Sequence, residues 1–429
     1  MRVLLALLAA ALLSGCVAHR PAGDSLDEIA KDYVQLQLEI GEREPGYVDA
    51  YYGPAEWQDA AKAAPRSLTE LATAAADLSR RTKALDAGRL ERMEQRRRAF
   101  LAAQLRAAET RLRMLRGEKL PFADEAEGLF GVRPQLKPLA DYDPILARIE
   151  SLVPGAGPLA ERVDAFQDRF VIPKDRLEPV FRAAIAECRR RTVAHIPLPA
   201  EERFTLEFVT GKSWSGYNWY KGNATSLIQV NTDLPIRISR AVDLGCHEGY
   251  PGHHAYNMLL ERELAKERGW IEYTVYPLYS PQSLIAEGSA NYGIELAFPG
   301  EERLAYETRA LYPLAGLPTT DAARYLALLE AMKALAGARF TIAADLLEGR
   351  IDKAAAVGLT QKYQLVSRAR AEQSIAFTEQ YRSYVINYGL GQDMVRAHVE
   401  GAGVGPAERW QAMAAILSEP TLPTDLTPH

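Results

Sequence analysis

Apolar residues recur at three- and four-residue spacing over most of the first half of the chain, the period of a helix that buries one face. From about Leu26 to Arg191 this pattern is almost unbroken. Leu68 to Leu115 is rich in Ala, Leu, Arg and Glu and free of proline, so long packed helices are expected there. Pro121, Pro134, Pro138, Pro144, Pro154 and Pro158 then interrupt the period. Proline lacks an amide donor and clashes with the preceding turn, so these positions predict shorter helices joined by bends. The Pro-rich stretch His195-Ile196-Pro197-Leu198-Pro199 is the clearest break. It separates an expected N-terminal helical domain, 28–195, from an expected catalytic domain, 200–429.

Beyond the break the period shortens. Phe204 to Val209 alternates as a strand does, Trp214 to Tyr220 is crowded with Trp, Tyr, Ser, Gly and Asn, and Ser226 to Asn231 reads as a second strand. Asp233-Leu234-Pro235 ends that strand, and Ile236 to Tyr250 carries helix formers. Segments such as Asp321 to Leu335, Phe340 to Leu347 and Gln361 to Arg382 keep the remainder helical. The expected fold class is mainly α with a small β-sheet, and no repeat period points to a solenoid.

Composition narrows the function classes. A chain of 429 residues can bury a large core, as one large domain or two closely packed ones. With a net charge of −5 it lacks the basic field that nucleic acid requires, so no nucleic-acid partner is expected. The N-terminus changes the picture most. Met1-Arg2 is a short positive start, Val3 to Leu13 is an apolar run too short to span a bilayer as a helix, and Leu13-Ser14-Gly15-Cys16 resembles a lipobox. Residues 1–15 are therefore read as a signal peptide, Cys16 as an acylated N-terminus, and 16–27 as a lipidated tether. A membrane partner through the lipid anchor follows. Val17 in place of Asp after the cysteine is similar to Gram-negative sorting to the outer membrane, facing the periplasm. After Cys16 only Cys188 and Cys246 remain, which excludes a disulfide framework. Buried free thiols are expected, one bridge being the alternative.

Three of the seven histidines fall within Cys246-His247-Glu248-Gly249-Tyr250-Pro251-Gly252-His253-His254, beside a glutamate. Neutral imidazole is a zinc ligand, and a carboxylate next to the first ligand can take a proton from water whose pKa the metal has lowered. This adjacency is the core of H-E-x-x-H, yet position 251, where the second histidine of that signature belongs, is proline. Two geometries follow. On a straight helix His254 returns to the face of His247 about 10 Å further along, and His253 points away. If Pro251-Gly252 bulges as a two-residue insertion, His253 inherits the second-ligand place. We take His253 as the ligand and give His254 a supporting or oxyanion-side role, with the exchange of roles as the alternative. Catalytic zinc usually has three protein ligands. Ser280-Pro281 opens a helix in which Glu287, Asn291 and Glu295 share a face, and Glu287 is the best candidate because it stands in a run of small and apolar residues. His195 and His398 have no acidic neighbour pattern and are read as structural or surface residues.

The string His247 to His254, together with Glu287-Gly288-x-Ala290-x-Tyr292, resembles the bacterial domain-of-unknown-function lipoprotein family marked by H-E-x-x-P-G-H-H and E-G-x-A-x-Y. That family is placed with the gluzincin-like zinc metallopeptidases. Tyr47-Val48-Asp49-Ala50-Tyr51-Tyr52-Gly53-Pro54 and Tyr381 to Tyr388 look like further strings of it, so the resemblance spans most of the mature chain. It implies a helical, two-lobed metallopeptidase-like body with the sheet next to the active-site helix. By analogy it also implies one zinc ion on His247, His253 and Glu287, with Glu248 as general base. An extended peptide substrate is expected along Ser226 to Asn231 as an edge strand, with Gln229 and Asn231 as contacts, or else that strand ends a covered sheet. Tyr217, with its aromatic neighbours, is expected either to line the cleft or to belong to the core. Tyr384 and Tyr388 are candidates for the hydroxyl that steadies an oxyanion.

The implied function is zinc-dependent hydrolysis of peptide bonds, short peptides in particular. The rivals are a non-catalytic metal- or peptide-binding lipoprotein and a zinc amidase acting on cell-wall fragments. No G-x-S-x-G elbow and no G-x-x-x-x-G-K-[ST] loop is present to favour a serine hydrolase or a nucleotide-binding protein.

Overall fold

A computed structural model describes residues 25–427; the signal segment, Cys16 and most of the tether lie outside them. The described chain is mainly helical with a small sheet. Its first helix, Leu26–Arg43, opens on a capping box in which Ser25 and Glu28 satisfy each other's backbone amides. The helix buries Ile29, Tyr33, Leu36 and Ile40, a stripe at three- and four-residue spacing, against Leu68–Ala84 and Arg92–Leu115. The proline-free run expected as long helices is thus two helices, parted where Asp86 caps a short turn.

Two hydrophobic clusters fill the interior, and each takes residues from both sides of the 195–199 break. One joins the N-terminal helices to the Pro281–Ala297 helix and the C-terminal helices. The other joins Tyr142 to Cys188 with the helices around Val242 and Tyr325. A buried Arg97–Glu272 pair, bonded at 2.6 and 2.9 Å, ties the first half of the chain to the second.

The strands are β1 (Val48–Tyr51), β2 (Arg203–Val209), β3 (Gly216–Tyr220), β4 (Thr225–Asn231) and β5 (Val275–Pro277). β2, β4 and β3 form one sheet in that order, β2 parallel and β3 antiparallel to β4. This corrects the expected edge strand. Ser226 to Asn231 is the central strand, with its backbone groups engaged on both sides, and the edges are β2 and β3. β1 pairs antiparallel with β5, and four residues are too few for a strand period to emerge from the helical pattern around them.

A second correction concerns the cysteines. Cys188, on the Leu177–Val193 helix, and Cys246 are not free thiols but a disulfide, with Cα atoms 5.3 Å apart. A sequence separation of 58 corresponds to about 4 kcal/mol in the chain-entropy account. The bridge holds the residue next to His247 against the buried face of that helix. Among the described residues no helix is long and apolar enough to cross a membrane.

Candidate metal centre

The histidine-bearing segment is not one straight helix. Ser239–Leu244 runs into a widened turn, Gly245–Gly249, after which Tyr250 is extended and a new helix begins at His253. The Tyr250–Pro251 bond is cis. The Gly252 amide then donates to the Cys246 carbonyl at 3.0 Å, and a Cβ at position 252 would lie 1.8 Å from the His247 carbonyl oxygen. Only glycine permits that approach. The Pro-Gly pair is looped out, and His253 returns to His247 with the rings 4.6 Å apart, edge to face. Gly252→Ala is accordingly expected to cost roughly 3–5 kcal/mol or to carry His253 away from His247. Denaturant midpoint and metal content read out the two outcomes, and wild-type values of both would refute this account of the turn.

Glu287 comes from the buried Pro281–Ala297 helix, and both histidines aim at it. His247 Nε2 lies 3.1 Å and His253 Nε2 3.7 Å from Glu287 Oε2. The three ligand atoms lie within 4.8 Å of one another. Neither contact is aligned as a hydrogen bond, and Oε2 is buried without a donor. Oε1 accepts the Tyr384 hydroxyl at 2.8 Å.

The tautomer of His247 follows from its other neighbour. Asn291 donates its Nδ2 to the Tyr388 carbonyl, which turns Oδ1 toward His247 Nδ1 at 3.1 Å. Nδ1 must then carry the proton, leaving a lone pair on Nε2 directed at a carboxylate oxygen. Two imidazole nitrogens and a buried carboxylate, converging on one point of the cavity wall, suit a small divalent cation such as zinc. Burial works against a charged His253, but the Glu287 carboxylate outweighs it and pushes the imidazole up to about 9. Burial raises the Glu287 carboxyl, and the two histidines reverse this and hold it well below its usual range.

Glu248 projects from the same turn into a cavity of about 530 Å³ whose wall also includes His247, His253, Glu287, Asn291, Tyr384 and Tyr388. Its Oε2 has no hydrogen-bond partner, and its backbone carbonyl accepts Asn218 Nδ2 of β3 at 2.7 Å. Burial raises its pKa, with His247 opposing. Gly216 of β3 leaves space for this carboxylate, since a Cβ there would stand 2.7 Å from Oε1. The Tyr388 ring lies 6.4 Å from that of His247 and nearly parallel to it. The helix carrying it, Ile386–Gly401, approaches because Gly288 meets Gly391 backbone to backbone.

Other expected site residues lie elsewhere. His254 is fully buried and turned away from the cavity, Nδ1 on Ser226 Oγ at 2.7 Å and Nε2 on Glu202 Oε2 at 3.0 Å. Glu202 also accepts the Tyr250 hydroxyl. An oxyanion role for His254 is thereby corrected to a supporting one, because the chain leaves the helix at Tyr250 and the seven-residue face relation lapses. Gln229 is held by Trp219 and Glu207, and Asn231 caps the Lys212 and Trp214 carbonyls. Neither lines the cavity, which corrects their substrate-binding role. Tyr217 does line it, and its hydroxyl donates to Asp49. Glu295 lies in ion pairs with Lys333 and Arg396, and exposed His195 stacks on Trp410.

Asp49, Asn218 and Arg339 also line the cavity without having been singled out as site residues. Burial pushes Asp49 up to about 6, the Tyr217 hydrogen bond opposing. Its only sequence signal is the Tyr47 to Pro54 string.

No family model matches the chain, and no curated protein matches it. Among solved structures it is similar to a candidate lipoprotein from Colwellia psychrerythraea, at 16% identity and a TM-score of 0.52. That match covers 83% of this chain and 65% of the other, so this chain spans less than two thirds of that protein's length. It also aligns with the M32 carboxypeptidase from Deinococcus radiodurans R1, at 13% identity and a TM-score of 0.36, over 92% of this chain and 88% of that one. A protein called CHT aligns at 11% identity and a TM-score of 0.38, over 92% and 90%. The first likeness shows a shared fold; the other two are too distant to support any conclusion.

Proposed function

We propose that this chain is a zinc-dependent hydrolase of peptide bonds, with short peptides as substrates. The observation that carries the reading is the convergence of His247 Nε2, His253 Nε2 and Glu287 Oε2 beside the unpartnered Glu248 carboxylate on the cavity wall. A zinc ion held there supplies a Lewis acid for the scissile carbonyl and lowers the pKa of water. The protein's own groups do the rest. Glu248 accepts the proton of the attacking water and returns it to the leaving amine, a task suited to a carboxylate whose pKa burial has raised. Asn291 fixes the His247 tautomer, and Tyr384 holds Glu287 in place. Tyr388 is the candidate to donate to developing negative charge, since Tyr384 is committed to Glu287. The β3 edge, passing Glu248 at Gly216, is where an extended substrate pairs.

The motif resemblance supports the same reaction class. The lipobox and the shared fold with a candidate lipoprotein support a lipid-anchored place in the cell envelope, and Val17 supports the outer membrane. The test is elemental analysis of protein purified without added metal, followed by assays on short peptides and muropeptide fragments side by side. About one zinc per chain is expected. A chelator should abolish peptide hydrolysis while the protein stays folded, because this large core does not depend on the site, and zinc should restore it. Absence of bound metal, or a rate indifferent to chelation, would overturn the proposal, and turnover confined to muropeptides would transfer the site to the amidase reading.

A further inference from the structure

Among the described residues, one cation on the cavity wall is in no ion pair. Arg240 and Arg303 share Asp243, Lys333 holds Glu295, and Arg370 stands 3.9 Å from Asp164. Arg339, on the Ala338–Leu347 helix, pairs with no carboxylate among the described residues, and its Nε is buried without an acceptor. Its guanidinium faces two aromatic rings, 5.3 Å from the centre of Phe377 and 5.8 Å from that of Tyr388. Such rings fix the plane of a guanidinium and leave its N–H edges unsatisfied. Arg339 is half-buried, and an unpaired guanidinium whose Nε is shut off from water is costly, since an arginine so placed normally has a carboxylate.

Its position gives that unpaired charge a use. The Tyr388 ring touches both groups, 5.8 Å from the Arg339 guanidinium and 6.4 Å from the His247 ring, and all three line one cavity. An extended residue spans about 3.3–3.6 Å, so the last one or two residues of a peptide are enough to bridge two groups that flank one ring. Beside it a second cavity of about 240 Å³, walled by Leu335, Phe340 and Val385 and reached by Arg339 and Tyr388, leaves room for an apolar terminal side chain.

We propose that Arg339 is a carboxylate-binding residue that receives the free C-terminus of the substrate, which makes the enzyme one that trims peptides from their C-terminal end. This rests on the peptidase reading above. A planar guanidinium takes a carboxylate through two parallel N–H bonds, and loss of such a charge-assisted contact corresponds to roughly a 10- to 100-fold change in affinity.

The experiment measures binding of a tripeptide acid and of its C-terminal amide to zinc-loaded Glu248→Gln protein, with and without Arg339→Met or Arg339→Lys. The acid is expected to bind 10- to 100-fold more tightly than the amide. Arg339→Met, which keeps a stem against the rings, should erase the difference, and Arg339→Lys should keep part of it. Equal binding of acid and amide, or a preference that survives in Arg339→Met, overturns the proposal. Hydrolysis by the wild-type protein separates the two claims. If it cuts the amide as readily as the acid, the peptidase reading stands and the C-terminal subsite falls. If it cuts neither while the acid still binds in an Arg339-dependent way, the subsite stands and the peptidase reading falls; if neither peptide binds, both fall.

Discussion

Glu248→Gln is expected to keep its metal and lose roughly two to four orders of magnitude in turnover. Glutamine matches glutamate in size and retains one carbonyl acceptor, so the turn from Gly245 to Gly249 should keep its path, which depends on backbone bonds and on Asn218 holding the Glu248 carbonyl. What disappears is the carboxylate next to the first ligand that can take a proton from water. Among the described residues Glu248 makes no ion pair and its Oε2 has no partner, so no structural task of the carboxylate is left to explain a lost rate. Removing the charge should even lessen the burial cost that raises its pKa, so stability is expected to be unchanged or slightly higher. Metal content, thermal stability and turnover measured on the same preparation separate these effects. Near-normal turnover would remove Glu248 from the mechanism, and loss of metal would make it a ligand instead of a base.

How far the site was legible depends on whether its parts obey local rules. Glu287, Asn291 and Glu295 follow helical spacing, and the helix that carries them is present as the sequence pattern predicts. His253 was reachable because Pro251-Gly252 announces a break, although the Gly252 contact with the His247 carbonyl is a tertiary fact. The order of the sheet was not legible. Strand periodicity locates β2 and β4, but which strand lies at the edge depends on a β2–β4 crossover that no local pattern encodes. Asp49 and Arg339 were invisible for a similar reason, since one sits in a four-residue strand and the other in an unremarkable helix, and the cavity gathers them from distant parts of the chain. The Cys188–Cys246 bridge is equally non-local, at a separation of 58 residues.

The neighbouring histidines should respond to alanine in opposite ways. His253→Ala removes one of three convergent ligand atoms, so metal should be lost while stability changes little, the ring being only partly buried at the cavity wall. His254→Ala acts on a fully buried ring that bridges Ser226 of β4 to Glu202. It leaves a void and removes one of the donors that hold the Glu202 carboxyl down at about 2, against a burial that would raise it. The expected cost is about 2–4 kcal/mol, with metal retained in the folded fraction. The Glu202 contribution is fully present above the ordinary carboxylate range and is lost as pH falls toward 2, so the stability gap between wild type and His254→Ala should narrow in acid. Metal content and denaturant midpoint together decide the matter: loss of metal in His254→Ala with retention in His253→Ala would exchange the two roles, and retention in both would end the two-histidine site.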